Sequence, residues 1–140
     1  MGFLLAAMGV CAEPPVTSTF RVTSRTPMTD TNVYPEGTVK ITYQSAVDGK
    51  EDWALFSPGD PANNTIVYLH GSFSSGDQIF TRKDVRCFWL SRILAGRHPL
   101  LSINMRGTSY MSPPTTRDFT DLLDNCRRED LLRKVVLLGG

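Results

Sequence analysis

This chain has almost no net charge, no long apolar run and no metal-binding cysteine cluster. Each of these features excludes a class of protein. The formal net charge is +1 over 140 residues, so the sequence gives no electrostatic case for binding nucleic acid or an anionic membrane. No apolar run approaches the roughly 20 residues that cross a bilayer as a helix. The three cysteines and two histidines form no Cys-x-x-Cys or Cys/His cluster, which argues against a zinc site. We therefore expect no metal, no cofactor, no nucleic-acid partner and no membrane span.

The first 37 residues differ in composition from the rest of the chain. Residues 1–12 carry no charge, are mostly apolar and end in Val-Cys-Ala, which is similar to a short signal peptide without a basic start. Residues 13–37 are rich in Thr, Ser and Pro and are expected to be a linker or an irregular segment with one short strand at 20–22. Two locations follow from this segment: secretion or export to the periplasm if residues 1–12 are a signal peptide, and the cytoplasm if they are not.

The expected strands of residues 38–140 are of two kinds. Residues 38–43 and 52–56 alternate apolar and polar side chains around an Asp-Gly turn, which predicts an antiparallel hairpin. Three later runs are continuously apolar, at 66–69, 100–103 and 135–138. Such runs are typical of parallel strands that are covered by helices on both faces.

A helix is predicted at 83–95, between the first two apolar runs. Its expected core face comprises Val85, Phe88, Trp89 and Ile93. Thr81 and Asp84 have the spacing of a capping box, and Gly96 is expected to end the helix. Cys87 falls at an apolar position of this segment and is expected to be a buried free thiol.

A second helix is predicted at 116–130, between the second and third apolar runs. Its apolar residues follow the i, i+3, i+4, i+7 rule and are Phe119, Leu122, Leu123 and Cys126. Thr115 and Asp118 have capping-box spacing, and Cys126 is expected to be another buried thiol. Asp121 and Asp124 share a helix face with Asp118, but a cap followed by solvated charge is preferred to a metal site.

The order of elements is therefore a hairpin followed by β, α, β, α and β. Strands that alternate with helices predict an α/β fold with βαβ units and a doubly wound sheet. Ligand sites in such sheets lie at the carboxyl ends of the parallel strands. The loops of interest are 70–80, 104–114 and any residues that follow Gly140.

The loop after the first apolar strand reads His-Gly-Ser-Phe-Ser-Ser-Gly-Asp over residues 70–77. This segment resembles the His-Gly loop of the α/β-hydrolase superfamily, in which backbone N–H groups bind the oxyanion of the tetrahedral intermediate. The resemblance implies that the N–H groups of Ser72 and Phe73 form the oxyanion hole, while His70 and Gly71 support the loop. The triad base of that superfamily comes later in the chain than this histidine.

Residues 104–113 resemble the Asp-x-Arg-Gly-x-Gly-x-Ser segment that follows the next strand of the same superfamily. Asn104 replaces the acid and Ser109 replaces the second glycine. Arg106, beside Gly107, is expected to brace neighbouring loops through its several donors. With the run at 77–82, this segment is most similar to esterase-like or prolyl-oligopeptidase-like members.

Residues 135–140 resemble the strand that leads into the nucleophile elbow, Gly-x-Ser-x-Gly, of these enzymes. Gly139 and Gly140 would stand at the start of the elbow, but the elbow motif itself occurs nowhere in the 140 residues. The resemblance thus implies a partial α/β-hydrolase sheet, with its three-layer αβα arrangement incomplete. We expect the tips of the strands that end near Leu69 and Leu138 to be neighbours in one sheet.

The function that the resemblance implies is that of an N-terminal part of a serine hydrolase acting on small-molecule or peptide esters or amides. The serine, acid and histidine of the triad would all follow Gly140, so no catalytic residue is assigned and the chain is expected to be inactive alone. A non-catalytic binding or assembly module is the alternative. A hydrolase using Ser109 or Ser72 as nucleophile is a third hypothesis. An uncovered apolar sheet edge is expected to cause aggregation.

A phosphate-binding loop is the rival interpretation of the segment after the first apolar strand. Gly71 and Gly76 have the Gly-x-x-x-x-Gly spacing of a P-loop. The Lys and Ser or Thr that should follow are Asp77 and Gln78 here. Because an acid in the place of the lysine repels phosphate, the sequence disfavours nucleotide binding.

Overall fold

The computed structural model describes residues 18–108 and 110–139. The predictions for the signal-peptide segment 1–12, for Ser109 and for Gly140 therefore lie outside the described residues. In the part of the chain that is described, no helix is both long and apolar enough to cross a membrane.

The described residues form a mixed α/β fold around one six-stranded sheet. The strands are β1 (Arg21–Pro27), β2 (Val39–Gln44), β3 (Glu51–Ser57), β4 (Thr65–Leu69), β5 (Leu100–Ile103) and β6 (Val135–Gly139). Their order across the sheet is β1-β2-β3-β5-β4-β6. Because β5 lies between β3 and β4, the chain crosses over when it passes from the hairpin to the later strands.

The sheet has an antiparallel part and a parallel part. β1, β2, β3 and β5 pair antiparallel with one another in that order, which confirms the predicted hairpin. β4 pairs parallel with β5 on one side and with β6 on the other. The three apolar runs are therefore neighbouring parallel strands, as their lack of a polar face predicted.

β1 occupies part of the segment that we expected to be a linker or irregular. It is seven residues long instead of the expected three, and it pairs with β2 through a bulge between Val22 and Ser24. Nearly all of its side chains are exposed. Because an edge strand with both faces in water needs no apolar pattern, composition alone indicated a linker here.

The first predicted helix is broken into several short segments. These are α1 (Gln78–Thr81), α2 (Lys83–Val85), a π-helical turn (Arg86–Leu90) and α3 (Ser91–Ala95). The helix ends before Gly96, as predicted. The predicted capping box is absent: Thr81 Oγ1 donates to the Asp77 carbonyl oxygen, and Asp84 pairs with Arg82 at 2.8 Å.

The π-helical turn corrects the predicted core face of this helix. A π turn closes i→i+5 hydrogen bonds and is wider than an α turn, so side chains five residues apart share a face. Leu90 is buried five residues after the half-buried Val85, while Phe88 and Trp89 are exposed. Cys87 is likewise exposed, contrary to the expected buried thiol.

α4 (Pro113–Arg128) is the second predicted helix, and it begins three residues earlier than expected. Ser112 is its N-cap, and the Ser112 hydroxyl accepts a hydrogen bond from the Thr115 backbone N–H. Proline at the first helical position fits this cap, since its missing N–H would have no helical partner. The predicted Thr115/Asp118 capping box is therefore wrong, because Asp118 lies inside the helix.

Two apolar cores cover opposite sides of the sheet. One contains the buried α4 residues Leu122, Leu123 and Cys126 against residues of β2, β3, β4 and β5. The other contains Ile79, Phe80, Leu90 and Ile93 from the segmented helical region. The buried thiol of Cys126 was predicted correctly.

Candidate functional site

The candidate site lies at the edge of the sheet where the parallel strands end. His70 follows β4 and Asn104 follows β5, so both lie at this edge. β3 runs antiparallel to β5, which brings Asp52, at the start of β3, to the same edge. Ser45 directly follows β2 and lies at the same edge. Residues separated by more than 50 positions are thus brought together by strand topology alone.

His70 is buried at this edge and both of its ring nitrogens have partners. Nε2 lies 2.7 Å from the carbonyl oxygen of Asn104, and Nδ1 lies 2.9 Å from the carbonyl oxygen of Gly71. Only 3% of the residue is exposed. The imidazole joins the loop after β4 to the turn after β5 and is not open to a reactant.

Gln78 fixes the start of the loop that follows β4. Its Oε1 accepts hydrogen bonds from the Tyr68 hydroxyl at 2.6 Å and from the Gly71 backbone N–H at 3.2 Å. The Gly71 N–H group is therefore already used and is not a free donor. In the sequence, Gln78 stood out only as a misfit to the P-loop pattern, and its buried position was not anticipated.

Ser72 and Phe73 form the exposed tip of this loop. Within the described residues neither backbone N–H group donates a hydrogen bond. Phe73 has φ of 61°, in the left-handed region that is costly for a residue with a side chain, and its side chain is fully exposed. The two backbone N–H groups that were predicted to form an oxyanion hole thus have no acceptor within the described residues.

The turn after β5 (Met105–Gly107) is a short 3₁₀ turn with an unusual backbone. Met105, Arg106 and Gly107 all have positive φ, at 47°, 56° and 69°. The Arg106 N–H donates to Asp52 Oδ2 at 2.7 Å. Left-handed non-glycine residues persist where the surroundings over-determine them, and the Arg106 contacts provide such constraint.

The Arg106 guanidinium joins three segments at this edge. Its Nε donates to Asp118 Oδ2 at 2.7 Å, its Nη1 to Asp48 Oδ2 at 2.9 Å, and its Nη2 to the Ser45 hydroxyl at 2.9 Å. Burial alone would lower the pKa of Arg106, but hydrogen bonds to Asp48 and Asp118 outweigh it and raise that pKa above its ordinary value. The same hydrogen bond from Arg106 lowers the pKa of Asp48 to about 2.

Asp52 was missed by sequence reasoning and is a junction of this network. Besides the Arg106 N–H, its carboxylate accepts from the Tyr43 hydroxyl at 3.1 Å and from Asn104 Nδ2 at 2.7 Å. Burial, together with the neighbouring Asp52 charge, raises the pKa of Tyr43. A polar residue at the start of a half-buried strand carries no distinctive sequence signal, since such positions are normally solvated.

Asp118, expected to be a cap, is instead nearly fully buried and bonds to Arg106 and Ser45. Asp121 pairs with Arg117, and Asp124 pairs with Arg127. These three acids therefore do not converge. Across residues 18–108 and 110–139, no group of three or more His, Cys, Asp or Glu side chains is placed to hold a metal ion.

The predicted approach to an elbow lies beside this site. Leu69, at the end of β4, is in register with Gly139, at the end of β6. The chain that leaves β6 and the loop that leaves β4 therefore start side by side. Gly107 lies at the same edge, and a Cβ added to it would meet nothing within 4 Å.

Three cavities in the described part of the chain are not lined by the loop after β4. One of about 310 Å³ lies between the start of β1 and α4, and one of about 340 Å³ lies beside the π-helical turn. A third, of about 240 Å³, is near Pro99 and Leu131, at the opposite end of the sheet. None of the three is lined by His70, Ser72, Phe73 or Arg106, so the candidate site is defined by its donors and not by these cavities.

No protein-family model matches the chain, and a comparison with curated proteins found no match either. The chemistry of the site is therefore argued from its geometry.

This geometry can bind a negatively charged or carbonyl oxygen, but within residues 18–108 and 110–139 neither histidine is placed to act as a general base there. Of the two histidines in the sequence, His70 is buried with both nitrogens occupied. The other, His98, precedes β5 at the opposite edge, where its Nδ1 lies 2.9 Å from the Asn64 carbonyl oxygen. A serine at this edge would therefore have no histidine of this chain to activate it.

Proposed function

We propose that this chain supplies the oxyanion-hole loop of a serine hydrolase of the α/β-hydrolase type, acting on ester or amide bonds. In this proposal the nucleophile, acid and base are not residues of this chain. The observation that supports the proposal is that the N–H groups of Ser72 and Phe73 have no acceptor in the described residues and lie on the loop after β4, which starts beside the end of β6. The order of the three segments that resemble the superfamily supports the same proposal.

The chemical role of this loop follows from where charge develops. Attack on an ester or amide carbonyl places negative charge on the carbonyl oxygen in the transition state, and fixed backbone N–H groups stabilise that charge. One such donor contributes about 3 kcal/mol. A nucleophile positioned after β6 would lie on the strand end that neighbours the start of this loop.

The available side chains support inactivity of the chain alone. Nucleophilic catalysis by serine needs a base within hydrogen-bond reach. Neither histidine can serve at this edge, and within the described residues the Ser72 hydroxyl has no side-chain partner that could take its proton. We therefore expect no turnover of a p-nitrophenyl ester by the 140-residue chain.

The first test is to read the gene beyond the codon for Gly140. The proposal expects Gly-x-Ser-x-Gly or Ser-x-Gly-Gly to continue in frame, followed by an acid and a histidine. The encoded longer chain should hydrolyse a p-nitrophenyl ester. A reading frame with no such serine would overturn the proposal.

The second test isolates the Ser72 N–H in that longer chain. Ser72→Pro removes the backbone donor, because proline has no N–H, whereas Ser72→Ala keeps the donor and removes only the hydroxyl. We expect kcat to fall by about 100-fold or more in Ser72→Pro and to stay within about twofold of the parent in Ser72→Ala. Equal losses in both variants would show that the N–H is not a transition-state donor.

The exposed edge of β6 favours a second candidate function, a non-catalytic binding or assembly module. Val136 and Leu137 are 45% and 58% exposed, which suits a strand that pairs with another chain. A folded chain that elutes as a defined complex with a partner, and whose longer reading frame lacks a serine elbow, would select this function over the hydrolase.

A further inference from the structure

We infer that Asn104 is a positioning residue that holds both ends of the loop after β4 and so sets where the Ser72 and Phe73 N–H groups lie. The inference about the loop stands on geometry alone. Its importance for catalysis rests on the proposed function.

Every polar group of Asn104 has a partner. Its backbone N–H donates to the Trp53 carbonyl oxygen at 3.0 Å, and its own carbonyl oxygen is 2.7 Å from His70 Nε2. Its side-chain Oδ1 accepts from the Gly76 N–H at 3.1 Å, while Nδ2 donates to Asp52 Oδ1 at 2.7 Å. The residue is about nine-tenths buried, so these hydrogen bonds are shielded from competition with water.

These contacts reach the loop at two separate points. His70 is the first residue of the loop, and Gly76 lies six positions later, just before α1. Ser102 adds a hydrogen bond from its hydroxyl to the Gly76 carbonyl oxygen at 2.5 Å. The backbone of Gly76 is also packed closely on Asn104, since a Cβ added to Gly76 would lie 2.8 Å from Asn104 Cα.

The hydrogen bonds that hold Gly71 and Gly76, which we call the clamp, leave the tip of the loop without backbone constraints. Gly71 is held by Gln78, and Gly76 is held by Asn104 and Ser102. Between these anchors lie residues 72–75, whose N–H groups have no acceptor in the described residues, and Ser72 and Phe73 are the first two of them. Fixed ends with free donors between them are the arrangement that pre-organises an oxyanion site, because the donors do not have to reorient during the reaction.

The amide of Asn104 is needed because its two neighbours make opposite demands. Gly76 offers a donor and requires an acceptor, whereas the Asp52 carboxylate requires a donor. An amide satisfies both at once. A carboxylate at position 104 would satisfy Gly76 but would place a second negative charge against Asp52 in a buried site, which is strongly unfavourable.

The experiment measures hydrogen–deuterium exchange of the 140-residue chain by mass spectrometry, comparing peptides from the loop and from β4. Asn104→Asp is expected to raise the exchange rate of the loop peptide at least tenfold while the β4 peptide stays protected. Asn32→Asp, the same change at an exposed position, is the matched control and should leave both peptides unchanged. An unchanged loop in Asn104→Asp would overturn the inference.

A double variant separates positioning from packing. Asp52→Asn combined with Asn104→Asp exchanges the amide and the carboxylate, so Gly76 still faces an acceptor and the pair again has one donor and one negative charge. We expect loop protection to return to within about twofold of the parent. Because the shapes of the side chains barely change in either variant, a role in packing alone predicts no loss and no rescue. Failure of the rescue would overturn the inference.

Ser102→Ala is a second variant, needed if Asn104→Asp raises hydrogen–deuterium exchange throughout the sheet. It removes only the hydroxyl that binds the Gly76 carbonyl oxygen, and loop exchange should rise at least threefold with β4 still protected. An unchanged loop in that variant would count against the clamp. None of these measurements uses hydrolysis, so a failed clamp and a failed hydrolase proposal are distinguished.

Discussion

Arg106 and Asp118 form an ion pair that ties the turn after β5 to α4, with Nε 2.7 Å from Oδ2 and the Asp118 side chain only 3% exposed. Asp118 also bonds to Ser45, at the end of β2. One carboxylate thus joins a strand end, a turn and a helix. Since a buried carboxylate needs its partners to compensate for lost hydration, this pair should be strongly coupled to stability.

Asp118→Asn is expected to lower the free energy of unfolding by about 2–4 kcal/mol, because it leaves the half-buried Arg106 without its nearest counter-charge. Asp124→Asn is the matched control on the same helix. Its pair with Arg127 is about half exposed on both sides, so the expected loss is below about 0.5 kcal/mol. Urea unfolding followed by circular dichroism measures both. Equal losses would show that the Arg106–Asp118 pair makes no special contribution.

Asp48 should make the free energy of unfolding depend on pH in the acid range. The hydrogen bond from Arg106 lowers the pKa of Asp48 from 3.8 to about 2 in the folded chain. A lowered pKa contributes stability that is fully present above the unfolded value near pH 4 and is lost as the pH falls towards 2. Asp48 is partly exposed, so the effect should be modest.

Asp48→Asn tests this dependence by removing the titrating group. The free energy of unfolding of the parent should exceed that of the variant at pH 5, and the difference should shrink steadily between pH 4 and pH 2. Urea midpoints at one-unit intervals of pH give the comparison. A difference that stayed constant over this range would show that Asp48 does not titrate with a lowered pKa.

The parallel part of the sheet could be predicted because its signal is local. The run at 135–138 has no polar face, a pattern that is typical of strands in a parallel sheet. β1 could not be predicted in the same way. Its Thr, Ser and Arg side chains lie in water on both faces, and its pairing with β2 is made by backbone groups that every sequence possesses.

Of the predicted core face of the first helix, Val85 and Ile93 do pack in the core, whereas Phe88 and Trp89 were wrong for a different reason. The prediction assumed a period of 3.6 residues, which selects Phe88 and Trp89 after Val85. The π-helical turn moves the buried position to Leu90. A single wide turn leaves no mark in hydrophobic periodicity, because it changes the spacing at one point only.

The polar network of the site was beyond sequence reasoning because its members are far apart in the chain. Asp52 meets Asn104 across 52 positions and Arg106 across 54. Taken alone, each of these residues has an ordinary explanation in its local sequence, and Asp118 was interpreted as part of a helix cap. The resemblance directed attention to the loop after β4, and the role of its Ser72 and Phe73 N–H groups as oxyanion donors stays a prediction.

The Cys126 thiol should react with a thiol reagent more slowly than the Cys87 thiol. Burial raises the pKa of Cys126 from 9.0 to about 11, with the nearby Glu129 charge adding to the effect. Two pKa units reduce the reactive thiolate about 100-fold at neutral pH, before steric protection is counted. Cys87 is exposed.

The measurement compares two double variants with DTNB at pH 7.5. Cys11→Ser with Cys87→Ser leaves only Cys126, and Cys11→Ser with Cys126→Ser leaves only Cys87. The Cys126 thiol should react at least about 100-fold more slowly until urea unfolds the chain, when the two rates should converge. Comparable rates in the folded chains would contradict the buried position of Cys126.

The two edges of the sheet differ in how they resist pairing with another chain. β1 carries Arg21 and Arg25, ends at Pro27 and contains a bulge, all of which protect an edge strand. β6 has none of these features: it is uncharged, without proline, and exposes Val136 and Leu137 on alternate faces. We therefore expect self-association of the 140-residue chain to proceed through β6.

Leu137→Lys should reduce that self-association, because a charged side chain on an edge strand opposes the approach of another apolar strand. Leu94→Lys is the matched control, since Leu94 is also an exposed leucine, at 40% against 58%, but lies at the end of a helix. Sedimentation velocity at several concentrations should show a larger monomer fraction for Leu137→Lys and no change for Leu94→Lys. If both lysines raise the monomer fraction equally, added charge and not the β6 edge governs association, since only the strand edge offers unpaired backbone groups to a second chain.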